Sequence, residues 1–70
     1  MKLEIKVVIN GEEKILESEM SISDFLKIFD YETDRVAVEK NLEIIPLSDH
    51  KNEMIKEGDR IEIVGFIGGG

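Results

Sequence analysis

A chain of 70 residues has room for one domain with a modest core. Having no cysteine, it lacks a disulfide, a Cys-based zinc site and a thiol of its own for redox work. Nine Lys and Arg stand against 16 Asp and Glu, a formal net charge of -7, which argues against nucleic acid as a partner and suits a partner with a basic docking surface.

Leu3, Ile5, Val7 and Ile9 alternate with Lys2, Glu4 and Lys6, the period of a half-buried strand. Asn10-Gly11 follows, and both residues tolerate the positive φ of a tight hairpin. Glu12 to Glu17 is expected to run back as a second strand, with Ile15 or Leu16 reaching the core. Ser21-Ile22-Ser23-Asp24 resembles a capping box, with Ser21 as N-cap and Asp24 at N3, and Met20 and Phe25 are spaced for a hydrophobic staple. Ile22, Phe25, Leu26 and Phe29 form an apolar stripe at helical spacing, which predicts a helix over 22–29 with the stripe in the core. So short a helix holds only by packing on the sheet.

Asp30 to Asp34 is a polar connection, and Arg35-Val36-Ala37-Val38-Glu39 is a short apolar strand suited to an inner place in the sheet. Lys40-Asn41 is expected to turn, Leu42 to Ile45 to return, and Pro46 to end that strand, because proline cannot donate to a ladder. Ser48 to Asn52 predicts one helical turn capped by Ser48. Met54-Ile55 should plug the core ahead of a turn at Lys56-Glu57-Gly58-Asp59. The last strand is expected from Arg60 to Phe66, with Ile61 and Ile63 on one face and Arg60, Glu62, Val64 and Phe66 on the other.

There is no repeat, low-complexity stretch or linker. The order of strand, strand, helix, strand, strand, helical turn, strand indicates an α+β fold with the helix on one sheet face. Placing the first and last strands side by side and parallel at the centre gives the β-grasp arrangement. The expected molecule is a mixed five-stranded sheet with one main helix on one face: a β-grasp domain over 1–67 and a flexible C-terminal glycine tail over 68–70. No apolar run approaches the ~20 residues of a membrane span, and charged residues break any signal-peptide pattern. The expected address is the cytoplasm, with no membrane partner.

Catalysis needs titratable groups that converge, and few can do so here. His50 is the only histidine and lies between Asp49 and Lys51, which predicts a surface position. Asp49, Glu53, Glu57 and Asp59 lack metal-loop spacing and read as a solvated face. The glycines lack the Lys-Ser/Thr pair of a phosphate-binding loop. The chain is expected not to be an enzyme and to bind neither metal nor cofactor.

What remains is the run Phe66-Ile67-Gly68-Gly69-Gly70. Glycine has no Cβ, so Gly68 and Gly69 can thread a channel that side chains would block, and Gly70 can deliver a carboxylate with no side chain beside it. A carboxylate is a poor electrophile at neutral pH. Transfer of AMP from ATP by a partner enzyme would make it an acyl-adenylate, and attack by a sulfur donor would leave a thiocarboxylate. Val64, Phe66 and Ile67 are the candidate docking residues beside the exit.

Arg35-Val36-Ala37-Val38-Glu39-Lys40-Asn41 with Glu43-Ile44-Ile45-Pro46, then Glu57-Gly58-Asp59-Arg60-Ile61-Glu62-Ile63-Val64 and the terminal glycines, resemble the ThiS family, the sulfur carriers of thiamine biosynthesis. The resemblance spans nearly the whole chain and implies a ubiquitin-like β-grasp fold. It implies that Gly70 is adenylated with ATP by a ThiF-type enzyme, takes sulfur from a sulfur donor protein, and gives it as thiocarboxylate to a thiazole synthase of the ThiG type. Gly69 matches the family's penultimate glycine. Sibling readings are the small subunit of molybdopterin synthase, a carrier for tRNA thiolation or cysteine synthesis, and a ubiquitin-like modifier joined to lysines. The reading from another class is a β-grasp module that binds without covalent chemistry.

Overall fold

The computed structural model describes residues 3–65. Strand β1 (Ile5–Ile9) pairs antiparallel with β2 (Glu12–Leu16) through the Asn10-Gly11 turn, where φ is 50° and 83°. A short strand β3 (Met20–Ser21) leads into helix α1 (Ile22–Ile28). Strands β4 (Val36–Lys40) and β5 (Glu43–Ile45) form a second hairpin, and a 3-10 turn at Leu47–Asp49 follows. Strand β6 (Met54–Ile55) pairs antiparallel with β3, and β7 (Arg60–Gly65) completes the main sheet. The main sheet has the order β2-β1-β7-β4-β5. β7 is central and lies parallel to β1, with Val8 opposite Arg60 and Ile9 opposite Ile61.

Alternation places Ile5, Val7, Ile9, Leu16, Val38, Ile61 and Ile63 on one face, where α1 covers them with Ile22, Phe25 and Leu26. Ile55 closes the core from the β3–β6 side. At the second strand Leu16 is the core residue, and Ile15 points outward. The helix starts as its sequence predicts, the Ser21 hydroxyl accepting the Asp24 N–H at 3.0 Å. It ends one residue earlier, with Phe29 as C-cap and 41% exposed, so Phe29 lines the core edge and not its centre.

Three further expectations need correction. Ser48 does not cap the helical turn; Pro46 occupies that position with no side-chain cap, and its fixed φ of -59° sets the entry instead. Met54 is 37% exposed, leaving Ile55 as the plug. The carboxylates near the end do not form one solvated face. Asp59 is half-buried and accepts from the Lys56 N–H at 2.8 Å and from Asn41 Nδ2 at 3.0 Å, and Glu57 accepts from the Lys6 N–H at 3.0 Å.

Glu53 also has a structural partner. Lys40 pairs with Ile61 across the ladder, so its stem lies on the helix side of the sheet. Its ammonium meets Glu53 Oε2 at 2.6 Å, the Met54 carbonyl at 3.0 Å and Asp59 Oδ2 at 3.8 Å, with only 17% of the side chain exposed. The hydrogen bond to Glu53 and the charge of Asp59 raise its pKa above the ordinary 10.5, against the opposing effect of burial. A raised folded-state pKa contributes stability that is whole below the unfolded value and is lost as pH climbs through the folded one. Urea midpoints should therefore fall in the alkaline range, above the ordinary lysine value, more steeply for the natural chain than for Lys40→Met. Near neutral pH Lys40→Met should be less stable by about 1–2 kcal/mol, since Glu53 loses its partner. Parallel pH curves for the two proteins would remove Lys40 from the account.

Candidate functional site

The site is approached along β7, whose described residues end at Gly65. β7 is held on both sides, by β1 near its start and by β4 along its whole length, from Lys40 opposite Ile61 to Val36 opposite Gly65. Two asparagines fasten it further. Asn10 Oδ1 accepts the Ile63 N–H at 2.7 Å from the β1 side, taking over where the parallel ladder stops. Asn41 Oδ1 accepts the Arg60 N–H at 3.0 Å from the β4 side. A strand so braced leaves its C-terminal end with a fixed position and direction.

Of the expected docking residues, Val64 is described: it is 61% exposed, on the sheet face opposite α1, with Ala37 across the ladder. Phe66 and Ile67, and the tail residues Gly68, Gly69 and Gly70, lie outside the described residues. Gly65, which the sequence reading passed over, closes β7. Its backbone has no positive φ, and a Cβ added there would meet nothing within 4 Å. Neither its conformation nor packing among the described residues therefore calls for glycine at 65. Its absent side chain leaves the end of β7 open to close approach from outside. The outer sheet face around Val64 carries Glu39, Glu62 and Arg60 along with exposed Ile44 and Ile15.

His50 is not on the surface. It is 4% exposed, its Nε2 lies 3.0 Å from the Ile45 carbonyl, and its own carbonyl accepts the Ser23 N–H at 2.9 Å. Nε2 faces the carbonyl as the donor, and Nδ1 is buried without a partner among the described residues. Flanking Asp49 and Lys51 are exposed, and the tight turn directs the residue between them inward. His50 ties the end of β5, through its ring, to the start of α1, through its backbone carbonyl, which is a structural task. Among the described residues no group of three or more His, Asp or Glu is placed to hold a metal, and no helix is long and apolar enough to cross a membrane. An open groove of about 650 Å³ between α1 and the β3–β6 ladder is lined by Met20, Ile28 and Met54 with Asp24, Lys27 and Lys51 at its rim. It lies on the helix side, away from the face that carries Val64.

The fold matches the crystal structure of a thiamine biosynthesis protein, ThiS, from Geobacter metallireducens with a TM-score of 0.82 at 23% identity, over 94% of this chain and 100% of that one. In sequence, the chain is 44% identical over 66 residues to a thiazole synthase of Paramagnetospirillum magneticum, covering 94% of this chain and 20% of that protein. A thiazole synthase of Magnetococcus marinus matches at 32% identity over the same share of each. The chain thus spans about a fifth of the length of these two relatives. It is also 30% identical to the uncharacterized protein ycf40 of Porphyra purpurea, over 94% of this chain and 93% of that one. The ThiS family model matches residues 4–70, and the chain belongs to the ThiS family.

Proposed function

We propose that this chain is a sulfur carrier of thiamine biosynthesis, with the Gly70 carboxylate as the group that changes. The observation that carries the reading is the run of the central strand. β7, braced from both neighbours, ends at Gly65 directly ahead of Phe66-Ile67-Gly68-Gly69-Gly70. In the sequence only Phe66 and Ile67 separate this braced strand from the side-chain-free Gly68-Gly69-Gly70.

With Gly70 as the terminal residue, the chemistry runs in two displacements on a partner enzyme. A carboxylate oxygen attacks the α-phosphorus of ATP and pyrophosphate leaves, giving an acyl-adenylate. A sulfide-level donor then attacks the carbonyl carbon and AMP leaves, giving a thiocarboxylate. The ionised sulfur is the nucleophile handed to the acceptor. The chain supplies no acid, base or metal to these steps and acts as a co-substrate of the enzymes. Gly68 and Gly69 pass through the enzyme's channel, while Val64, with Phe66 and Ile67 beyond it, gives the apolar surface on which the enzyme docks. Family membership, together with relatives whose name is thiazole synthase, favours thiazole formation over molybdopterin or tRNA thiolation as the destination of the sulfur.

The test is intact-mass analysis of the full chain after incubation with ATP, a ThiF-type adenylating enzyme and a sulfide source. The expected product has one oxygen replaced by sulfur at Gly70. An unchanged mass with an enzyme that is active on another ThiS-family carrier would sink the reading.

A further inference from the structure

Both hairpins of the main sheet hold an asparagine against β7, and they do so at different places. Asn41 Oδ1 accepts the N–H of Arg60, the first residue of β7, where backbone pairing already holds the strand from either side. Asn10 Oδ1 accepts the N–H of Ile63, in the half of β7 nearer the exit, at 2.7 Å. That is the shortest hydrogen bond from a backbone N–H to a side chain among the described residues. The backbone ladder between β1 and β7 has ended by then, its last pair being Ile9 with Ile61. Peptide groups of a strand point alternately to its two neighbours. The Asn41 N–H donates to the Arg60 carbonyl and the Asn10 N–H to the Ile61 carbonyl. Glu62 and Val64 therefore turn their peptide groups to β4, and Ile63 and Gly65 turn theirs to the β1 side. On that side, among the described residues, the Asn10 side chain makes the last hydrogen bond to β7.

The turn by itself does not select asparagine. Its φ of 50° is one that glycine adopts more freely, and Gly11 already fills the next position at 83°. What glycine lacks is the acceptor. Asparagine tolerates the left-handed backbone and carries an oxygen that reaches across to Ile63. Residue 10 is exposed, so packing does not account for its side chain. Without this contact the exit half of β7 would be held by β4 alone. A two-stranded ribbon twists more than a strand with a neighbour on each side, and Val64 and Gly65 would turn with it.

We propose that Asn10 is a positioning residue for the tail: its side chain fixes the direction in which the chain leaves β7, and so where the Gly70 carboxylate is delivered. This rests on the carrier reading. Gly70 stands seven residues beyond Ile63 in the sequence, an extended reach of at most about 25 Å. Threaded through a channel, such an arm is drawn straight, and its root decides where its tip lies. A tilt of about 5° at Ile63 moves the tip of an arm of that reach by about 2 Å. In-line attack on phosphorus does not absorb such an error, since a misplacement of about 1 Å can cost 10²-fold. Docking is less affected, because Ala37 still holds Val64 across the ladder. The loss therefore falls on the chemical step more than on binding.

The experiment uses the full-length chain, a ThiF-type adenylating enzyme and ATP. It measures pyrophosphate release against carrier concentration, below the unfolding midpoint of every variant. Asn10→Gly keeps the turn and removes only the acceptor. Its kcat should fall about tenfold with KM within about twofold, and the Ile63 amide should exchange with solvent about tenfold faster while that of Glu62 is unchanged. Asn10→Asp keeps both the acceptor and the tolerance for the turn, and should hold kcat within about twofold of the natural chain. Asn41→Gly removes the matching bond at Arg60, at the far end of β7. It should lower the unfolding midpoint at least as much as Asn10→Gly does, without lowering kcat. That contrast separates aim from stability. An Asn10→Gly chain with kcat within about twofold of the natural one overturns the proposal and leaves the carrier reading standing. So does an Asn10→Asp chain as slow as Asn10→Gly, or an Asn41→Gly chain slowed equally. A natural chain that releases no pyrophosphate overturns both.

Discussion

Deleting Gly69 and Gly70 should abolish thiocarboxylate formation while the thermal midpoint stays where it is. The shortened chain still ends in a glycine carboxylate, because Gly68 becomes the last residue. The chemical character of the end group is therefore unchanged, and only its reach differs. Two extended residues span roughly 7 Å. Displacement requires the attacking oxygen within about 3–3.5 Å of phosphorus and in line with the leaving group, and a misplacement of about 1 Å can cost 10²-fold. A 7 Å deficit is far beyond what a folded body fixed on the enzyme can make up. The rate of pyrophosphate release should fall by at least about 10³-fold.

The fold should not register the loss. Among the described residues, every core residue lies between Ile5 and Ile63. A binding module without covalent chemistry would keep both its partner and its fold after the same deletion. Gly70→Ala tests the adjoining point with a smaller expected effect, since one methyl beside the reacting carbon crowds attack without moving the carboxylate. Normal conversion of the deleted chain would refute Gly70 as the reacting residue.

Much of this architecture was legible because local and long-range demands coincide. Ile5, Val7 and Ile9 alternate because one face of β1 meets α1, and Asn10-Gly11 fixes the register that keeps them there. Ser21 caps α1 as its spacing to Asp24 predicts. The parallel pairing of β1 with β7 follows from two well-alternating strands at opposite ends of the sequence. The exposure of Val64 follows from the same alternation that buries Ile61 and Ile63.

What escaped is non-local or too short to have a period. The β3–β6 ladder joins Met20-Ser21 to Met54-Ile55, and two residues carry no alternation to read. His50 looked solvated because its flanking residues are charged, whereas burial was decided by a turn that meets Ile45 and Ser23. Asp59 and Glu53 read as surface acids until Lys40 and Asn41 arrive from β4 and the turn after it. The return strand starts at Glu43, one residue later than expected, for a related reason. Asn41 is tied to β7 and draws the following residue, Leu42, into the turn. At the proposed site, side-chain-free residues leave no packing pattern, so the reading of Gly68, Gly69 and Gly70 rests on their chemistry alone.

Phe25→Ala should remove most of the stability of this domain, and with it the ability to present the tail. Phe25 is 1% exposed at the centre of the apolar stripe of α1. Its ring lies 4.6 Å from that of Phe29 and 6.3 Å from that of Tyr31, so it organises the way the chain leaves the helix towards β4. The helix has 7 residues and cannot persist without this contact with the sheet. Truncation of a buried Phe to Ala costs about 3–5 kcal/mol. At about 0.05–0.15 kcal/mol per residue, a domain of this length has roughly 4–10 kcal/mol in all.

The variant should therefore be partly unfolded at physiological temperature, with a collapsed urea midpoint and loss of the dispersed methyl signals of Val7, Val38 and Ile61. Phe29→Ala, at a site 41% exposed, should cost only about 1 kcal/mol, and Phe25→Leu should retain most of the fold. The order of these three variants is the decisive measurement. If Phe29→Ala proved as damaging as Phe25→Ala, the core would have to be centred at the C-terminal end of α1, and the position assigned to the sheet beneath it would be wrong.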